Sequence, residues 1–391
     1  MVNFDDYTDS YGRYSSLATD QLTTQFQSSA TVADPQVGNP RYGFIAVLGL
    51  AQRFKVDFLP IKWNNPLDLI GKGGQARVNH TPMSVQMSFA FKRFQHEGFP
   101  DPFREVVQEL LILTHPSVRH HKHIIHLEGI VLDIVAENKI WPVLVFEKTH
   151  FEDLYKFAKS GIGREMSIDD RLALCVDIGV AIRDMHANGI IHGDIKPHNI
   201  LVFPGSDGKV TAKVADFGFA TWFRSRDDLI AMPRSVPWNA PEHRGQKFRP
   251  LDAQRMDVYS YGMLCLWLLF GVDTPENVLL PLSTILQDDQ TLCFDVLGSL
   301  GKENLLLIWK MDENDKLLDW ATWLVLEHTH ISATVQRVLL EFFRSSLSFH
   351  SSRRTTDLDH LLCLLAPMRS IPETNIVDRV QEQDAEDFQV R

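Results

Sequence analysis

The chain of 391 residues is long enough to bury two cores, and its 44% hydrophobic and 23% charged residues exclude a fibrous or wholly disordered protein. A formal net charge of -11 disfavours non-specific binding to nucleic acid or an anionic membrane surface. The most apolar run, Tyr261 to Val272, is about half the roughly 20 residues a membrane span needs.

The start, Met1-Val2-Asn3-Phe4-Asp5-Asp6, lacks the basic flank and apolar run of a secretory signal. Cys175, Cys265, Cys293 and Cys363 are far apart in apolar surroundings and read as buried thiols of an intracellular protein, cytoplasmic or nuclear.

Residues 1–40 are rich in Ser, Thr, Asp and Gln without a sustained period, the pattern of a disordered arm. In an extension over 41–65, Phe44, Val47, Leu48, Leu50 and Ala51 make one face of a short helix packed on the domain that follows, a plain surface helix with no binding role of its own. Residues 66–147 turn to short β-like runs: Leu67 to Ile70, Met87 to Phe91, Gly129 to Val135 and Trp141 to Phe146, the last two closing a hairpin over Ala136 to Lys139. Between them Val106, Val107, Leu110, Leu111 and Leu113 mark a helix over Phe103 to Leu113.

Residues 148–368 are mainly helical. Ser167 followed by Asp170 starts a helix whose Ile168, Leu172, Cys175, Ile178, Ile182 and Met185 recur at helical spacing until Gly189. Strands return at Ile200 to Phe203 and Val210 to Val214 around Gly205-Ser206-Asp207-Gly208, a hairpin signal, and helices fill Met256 to Leu365. The tail over 369–391 is acidic and frayed.

Four stretches carry chemistry. Ile70-Gly71-Lys72-Gly73-Gly74-Gln75-Ala76-Arg77-Val78 follows a strand, and its glycines let backbone N–H groups approach phosphate oxygens; no Gly-Lys-Ser/Thr makes it a Walker loop, so the functional reading is a β-hairpin lid and the bland one a plain hairpin. Lys92 leaves its strand on the face opposite Phe91, with room beside Ala90 to reach under that turn, and needs a carboxylate: Glu109 first, Glu105 one turn earlier as runner-up. His192-Gly193-Asp194-Ile195-Lys196-Pro197-His198-Asn199 crowds groups that suit holding anions and metal near a hydroxyl. Asp216-Phe217-Gly218 follows the strand ending at Val214.

In this order the stretches resemble a eukaryotic-type protein kinase catalytic domain from about Pro66 to Leu365, joined by Ala240-Pro241-Glu242, by Asp257 to Gly262, and by Arg354 where the family places the partner of Glu242. The resemblance implies an α+β, bilobal fold with a small β-rich N-lobe holding one helix and a larger, mainly helical C-lobe. It implies transfer of the γ-phosphoryl group of ATP to protein hydroxyls with Mg²⁺, the alternative being a pseudokinase that binds ATP without transfer.

On the same resemblance Ile70, Gly71, Gly73 and Val78 cover the nucleotide, Lys92 held by Glu109 grips its phosphates, and Glu147 and Thr149 of the hinge, behind gatekeeper Phe146, meet adenine. Asn199 and Asp216 hold Mg²⁺, Asp194 accepts the proton of the attacking hydroxyl, and Lys196 steadies the γ-phosphate. Lys196 and Ser235 mark the Ser/Thr type, whose partners are Ser/Thr-bearing proteins.

Two departures from the family pattern stand out. Gly193 replaces the arginine that usually precedes the catalytic Asp, so one partner for an activation-segment phosphate is missing and activity is expected not to depend on that phosphate. Kinases of filamentous fungi resemble the chain in this variant. Ala76 stands at the third glycine of the lid. His115, His120, His121, His123 and His126 read as a solvated loop rather than a metal site, and Trp309, Trp320 and Trp323 in the long 271–324 segment as core.

Overall fold

Strand alternation decides how the small lobe is assembled. The computed structural model describes residues 43–60, 68–72, 76–82, 88–94, 103–136, 139–205, 208–271, 310–328 and 331–365. Strands β1 (Asp68–Lys72), β2 (Ala76–Pro82), β3 (Ser88–Phe94), β4 (Leu127–Ala136) and β5 (Lys139–Glu147) form one antiparallel sheet in the order β1-β2-β3-β5-β4. Phe91 lies opposite Val145, and Lys92 opposite Leu144. Successive side chains leave opposite faces, so Phe91 joins Val131, Val143 and Val145 in an outer apolar cluster while Lys92 turns inward beside Phe94. Burial of such apolar side chains contributes roughly 1.5–3 kcal/mol each, which fixes the register that aims Lys92.

The expected strands at Leu67 and Met87 begin at Asp68 and Ser88 and run on to Lys72 and Phe94, and the β4–β5 hairpin closes at the Ala136–Lys139 pair. Strand β2 enters the sequence reading only as the far arm of the expected hairpin over Ile70 to Val78, without bounds of its own. Arg77, Asn79, His80 and Thr81 give it little apolar alternation, and pairing with both neighbours makes it a strand. Helix α1 (Phe44–Phe54) packs on α2 (Arg104–Leu113), the helix read over Phe103 to Leu113, whose Val106, Val107, Leu110 and Leu113 are buried.

A short helix α3 (Pro116–Arg119) follows α2 before the sheet resumes at β4, and the larger lobe begins with short helices α4 (Leu154–Lys159) and α5 (Gly161–Arg164), then the long α6 (Ile168–Ala187). Ser167 caps α6, its Oγ accepting from Asp170 N at 3.2 Å. Two-residue strand β6 (Ile190–Ile191) pairs with β9 (Thr221–Trp222), β7 (Ile200–Pro204) forms the expected hairpin with β8 (Val210–Val214), and β10 (Ile230–Ala231) pairs with β11 (Lys247–Phe248). Helix α7 (Pro250–Leu266) starts earlier than Met256, with Pro250 in its first turn. Tyr261 Oη ties it to α6 by donating to Cys175 O at 2.8 Å. Helices α8 (Lys316–Glu327), α9 (Ala333–Leu347) and α10 (Leu358–Leu365) complete the lobe. The architecture is the two-lobed α+β one.

Two sequence readings are corrected. Cys363 is exposed on α10, whereas Cys175 on α6 and Cys265 on α7 are buried. The histidine cluster is only partly a solvated loop: His120 is exposed, but His115 caps α3, His121 Nε2 meets Asp184 at 2.9 Å, His123 is buried against Ala212 O, and His126 Nδ1 donates to Arg119 O. Those histidines satisfy main-chain groups that a polar stretch beneath the sheet would otherwise leave unpaired. Trp320 and Trp323 pack partly buried against the core, whereas Trp309, Cys293, the 1–40 arm and the 369–391 tail lie outside the described residues. No helix among the described residues is long and apolar enough to cross a membrane.

Candidate active site

The inward face of β3 meets α2 and the Asp216 turn at one buried cation. Lys92 Nζ lies 2.8 and 2.7 Å from the two carboxylate oxygens of Glu109 and 2.7 Å from Asp216 Oδ1. The choice left open by sequence falls on Glu109, which is 1% exposed; Glu105 stays half-buried, its carboxyl pushed up by desolvation against the pull of Lys92. Burial opposes charge on Lys92, yet the charges of Asp216 and Glu109 outweigh it and hold the ammonium well above its ordinary value. Burial likewise works against ionised Asp216, but Lys92 overrides it by charge and hydrogen bond and brings the carboxyl down to about 2. Asp216 adopts a left-handed φ of 63°, which aspartate tolerates better than most residues.

A second carboxylate organises the loop between β6 and β7. Asp257, fully buried on α7, accepts the N–H groups of His192 and Gly193, each at 2.9 Å, and contacts His186 Nε2 at 3.0 Å. His192 Nε2 donates to Ala215 O (3.1 Å) and its Nδ1 accepts from Asp194 N (3.2 Å), which sets the tautomer. Gly193 takes φ +81°, a backbone conformation most residues resist.

These contacts aim Asp194, 3% exposed, so that its Oδ2 accepts from Lys196 Nζ at 2.7 Å and from Asn199 Nδ2 at 2.9 Å. Its Oδ1 is buried and has no hydrogen-bond partner among the described residues. Lys196 Nζ also reaches Ser235 Oγ at 3.3 Å.

Around this centre the other expected site residues fall unevenly. Ile70 and Gly71 lie on β1, with Gly71 opposite Val78 of β2, so the main chain forms a hairpin, while Gly73 lies outside the described residues. Glu147 spends its carboxylate on Lys213 (2.6 and 2.7 Å) and on His126 N (2.9 Å), and the Thr149 hydroxyl donates to Val202 O. Both side chains are committed to protein, and the Glu147 N–H donates to His126 O at 3.4 Å. Phe146 is buried in the apolar core.

The sequence reading missed three supports. Gln108 Nε2 donates to Ala220 O at 2.7 Å, tying α2 to the segment after Asp216; Lys213 holds Glu147; and Lys310, 3% exposed, donates to Pro237 O and Asn239 Oδ1, each at 3.0 Å. None carries a local signal, because each acts on a residue far away in sequence. Arg354 Nη2 lies 2.6 Å from Glu242 Oε2, and its guanidinium also covers the Tyr259 ring.

Among curated proteins the chain is 33% identical over 169 residues to serine/threonine-protein kinase chk1 of Schizosaccharomyces pombe, covering 42% of this chain and 30% of that one. It is 28% identical over 208 residues to sperm motility kinase 2B of Mus musculus (52% and 39%) and 30% over 164 residues to a dual serine/threonine and tyrosine protein kinase of Danio rerio (41% and 17%). The chain thus spans well under half the length of these relatives. The protein kinase domain model matches residues 65–288, more than half of the chain, across the sheet, the Lys92 cluster and the Asp194 loop, and the chain belongs to the protein kinase domain family.

Proposed function

We propose that the protein transfers the γ-phosphoryl group of ATP to Ser/Thr hydroxyls of protein substrates, with lobes over 66–147 and 148–368 and an extension over 41–65. The observation that carries this reading is Asp194: one carboxylate oxygen is fixed by Lys196 and Asn199, and the other is buried and free to accept a proton. An incoming hydroxyl donates to Oδ1 and is turned toward the phosphorus. Lys196, bridging Asp194 and Ser235, lies beside that hydroxyl and steadies the negative charge that spreads over the transferred group.

Lys92, kept charged by Glu109 and Asp216, holds the α- and β-phosphates. The remaining oxygens, Asn199 Oδ1 and Asp216 Oδ2, carry no hydrogen bond from described residues and are hard donors suited to Mg²⁺. When bound, the ion neutralises phosphate charge. The lid residues Ile70, Gly71, Gly73 and Val78 cover the nucleotide, and the main chain at Glu147 and Thr149 meets adenine.

Gly193 supports the class that lacks the arginine before the catalytic Asp. The segment from Asp216 to Glu242 is fastened without a phosphate: Gln108 holds Ala220 O, His243 Nε2 donates to Met232 O at 2.7 Å, Asp228 accepts from Arg224 N and Ser225 N, and Lys310 holds Pro237 O. The test is labelled phosphate transfer to a Ser/Thr peptide library. Wild type is expected to label it and Asp194→Asn to leave it blank; equal labelling by both refutes the assignment, and nucleotide binding without transfer by wild type would point to a pseudokinase.

A further inference from the structure

Helix α1 does more than cover a surface. Val47, Leu50 and Ala51 are buried, and they join the apolar core that takes in Val106, Val107 and Leu110 of α2. Those α2 residues flank Glu109, so the helix on which α1 packs also carries the Lys92 partner. Phe44 contacts the ring of Phe103 just before α2, and Phe103 stacks on Trp141 of β5 at 4.6 Å.

The exit of α1 is locked as well. Arg119 donates to Phe54 O and, at 2.9 Å, to Lys55 O, covering the carbonyls that a helix end leaves unpaired. The chain then runs along β4, the edge of the sheet: Ile130 N donates to Asp57 O and Leu59 N to Ile130 O, each at 2.9 Å. Gly129 makes this approach feasible, since a Cβ there would sit 2.6 Å from Asp57 O and 2.9 Å from Leu59 Cγ. A groove that only glycine can line is a seat for the extension rather than an incidental contact.

We propose that residues 44–59 are a positioning clamp on α2, whose seating against Val106–Leu110 and the Gly129 groove keeps Glu109 on Lys92. It rests on the phosphotransfer reading for its rate effect, but its effect on nucleotide affinity does not. Contacts made only while α2 holds Glu109 against Lys92 shift the population toward that arrangement. The activating contact that a separate partner could supply is then part of this chain.

The test uses full-length Leu50→Asp, the milder Leu50→Ala, and Gly129→Val, which blocks the seat without touching α1. Each is assayed well below its own melting temperature, reading Mg·ATP affinity by titration together with kcat and KM. Expected are a tenfold or larger loss of ATP affinity and of kcat/KM for ATP in Leu50→Asp and Gly129→Val, a smaller loss in Leu50→Ala, and an unchanged KM for peptide. In a Glu109→Gln background the Leu50 changes should add nothing, because the clamp acts through Glu109.

Wild-type ATP affinity in the folded variants, or effects that add fully to Glu109→Gln, would overturn the proposal. If wild type transfers no phosphate, the phosphotransfer reading fails, while the affinity arm still decides the clamp.

Discussion

Replacing Gly193 tests the loop geometry on which Asp194 depends. An L-residue held in the left-handed region costs about 1–2 kcal/mol, and the φ of +81° puts Gly193 there. A Cβ would also stand 3.3 Å from Phe219 O, which would have to give by a few tenths of an ångström, while Pro233 Cδ at 3.6 Å and Met232 Sδ at 3.8 Å would make ordinary contacts. Gly→Ala gains roughly 0.4–1 kcal/mol by restricting the unfolded chain, which leaves a net loss of about 1 kcal/mol for Gly193→Ala. For a domain of this size that is a fall of about 2–4 °C in melting temperature.

Gly193→Asn should fall less, because asparagine tolerates the left-handed region, and Gly193→Val more, because a β-branched residue does not. Thermal melts and urea titrations of the three variants give the order. An alanine variant as stable as wild type, or valine no worse than alanine, would refute the reasoning.

Arg354→Met removes the guanidinium from Tyr259 and from Glu242, whose side chain is 25% exposed, and loss of this part-buried pair should cost about 3 kcal/mol in urea unfolding; a variant as stable as wild type would count against the pair. Lys310 provides a pH test: burial brings its ammonium from 10.5 down to about 8, with Glu242 pulling it up and Arg234 pushing it down. Below pH 8 both states hold the proton and the fold bears the full burial cost. Between about 8 and 10.5 the folded protein releases the proton while the unfolded chain keeps it, so stability rises with pH by on the order of 3 kcal/mol relative to Lys310→Met, measured by denaturant titration. Phosphatase treatment of pure protein should leave turnover within twofold, since described contacts hold the activation segment without a phosphate; loss of turnover in a phosphate-release-controlled assay would count against it.

What the sequence made legible was local or periodic. Alternation along β3 separates Phe91 from Lys92, and helical spacing places Glu109 and Glu105 one turn apart, but only the packing of α2 decides between them. The bounds of strand β2 were illegible because its polar residues take their conformation from two neighbours. The histidine stretch looked like solvated loop because its partners, Asp184 on α6 and Ala212 on β8, are remote in the chain. Lys310 and Gln108 were hidden for the same reason. Gly193 was legible as a missing arginine, whereas its left-handed conformation emerges only from the anchoring of its N–H on Asp257.

The central claim is that Asp194 acts as the base of phosphoryl transfer, and the most direct measurement is the single-turnover rate of Asp194→Asn beside its Mg·ATP affinity. The account predicts a rate lower by about 10² to 10⁴ with affinity unchanged. A rate equal to wild type in a variant that binds nucleotide normally would contradict it.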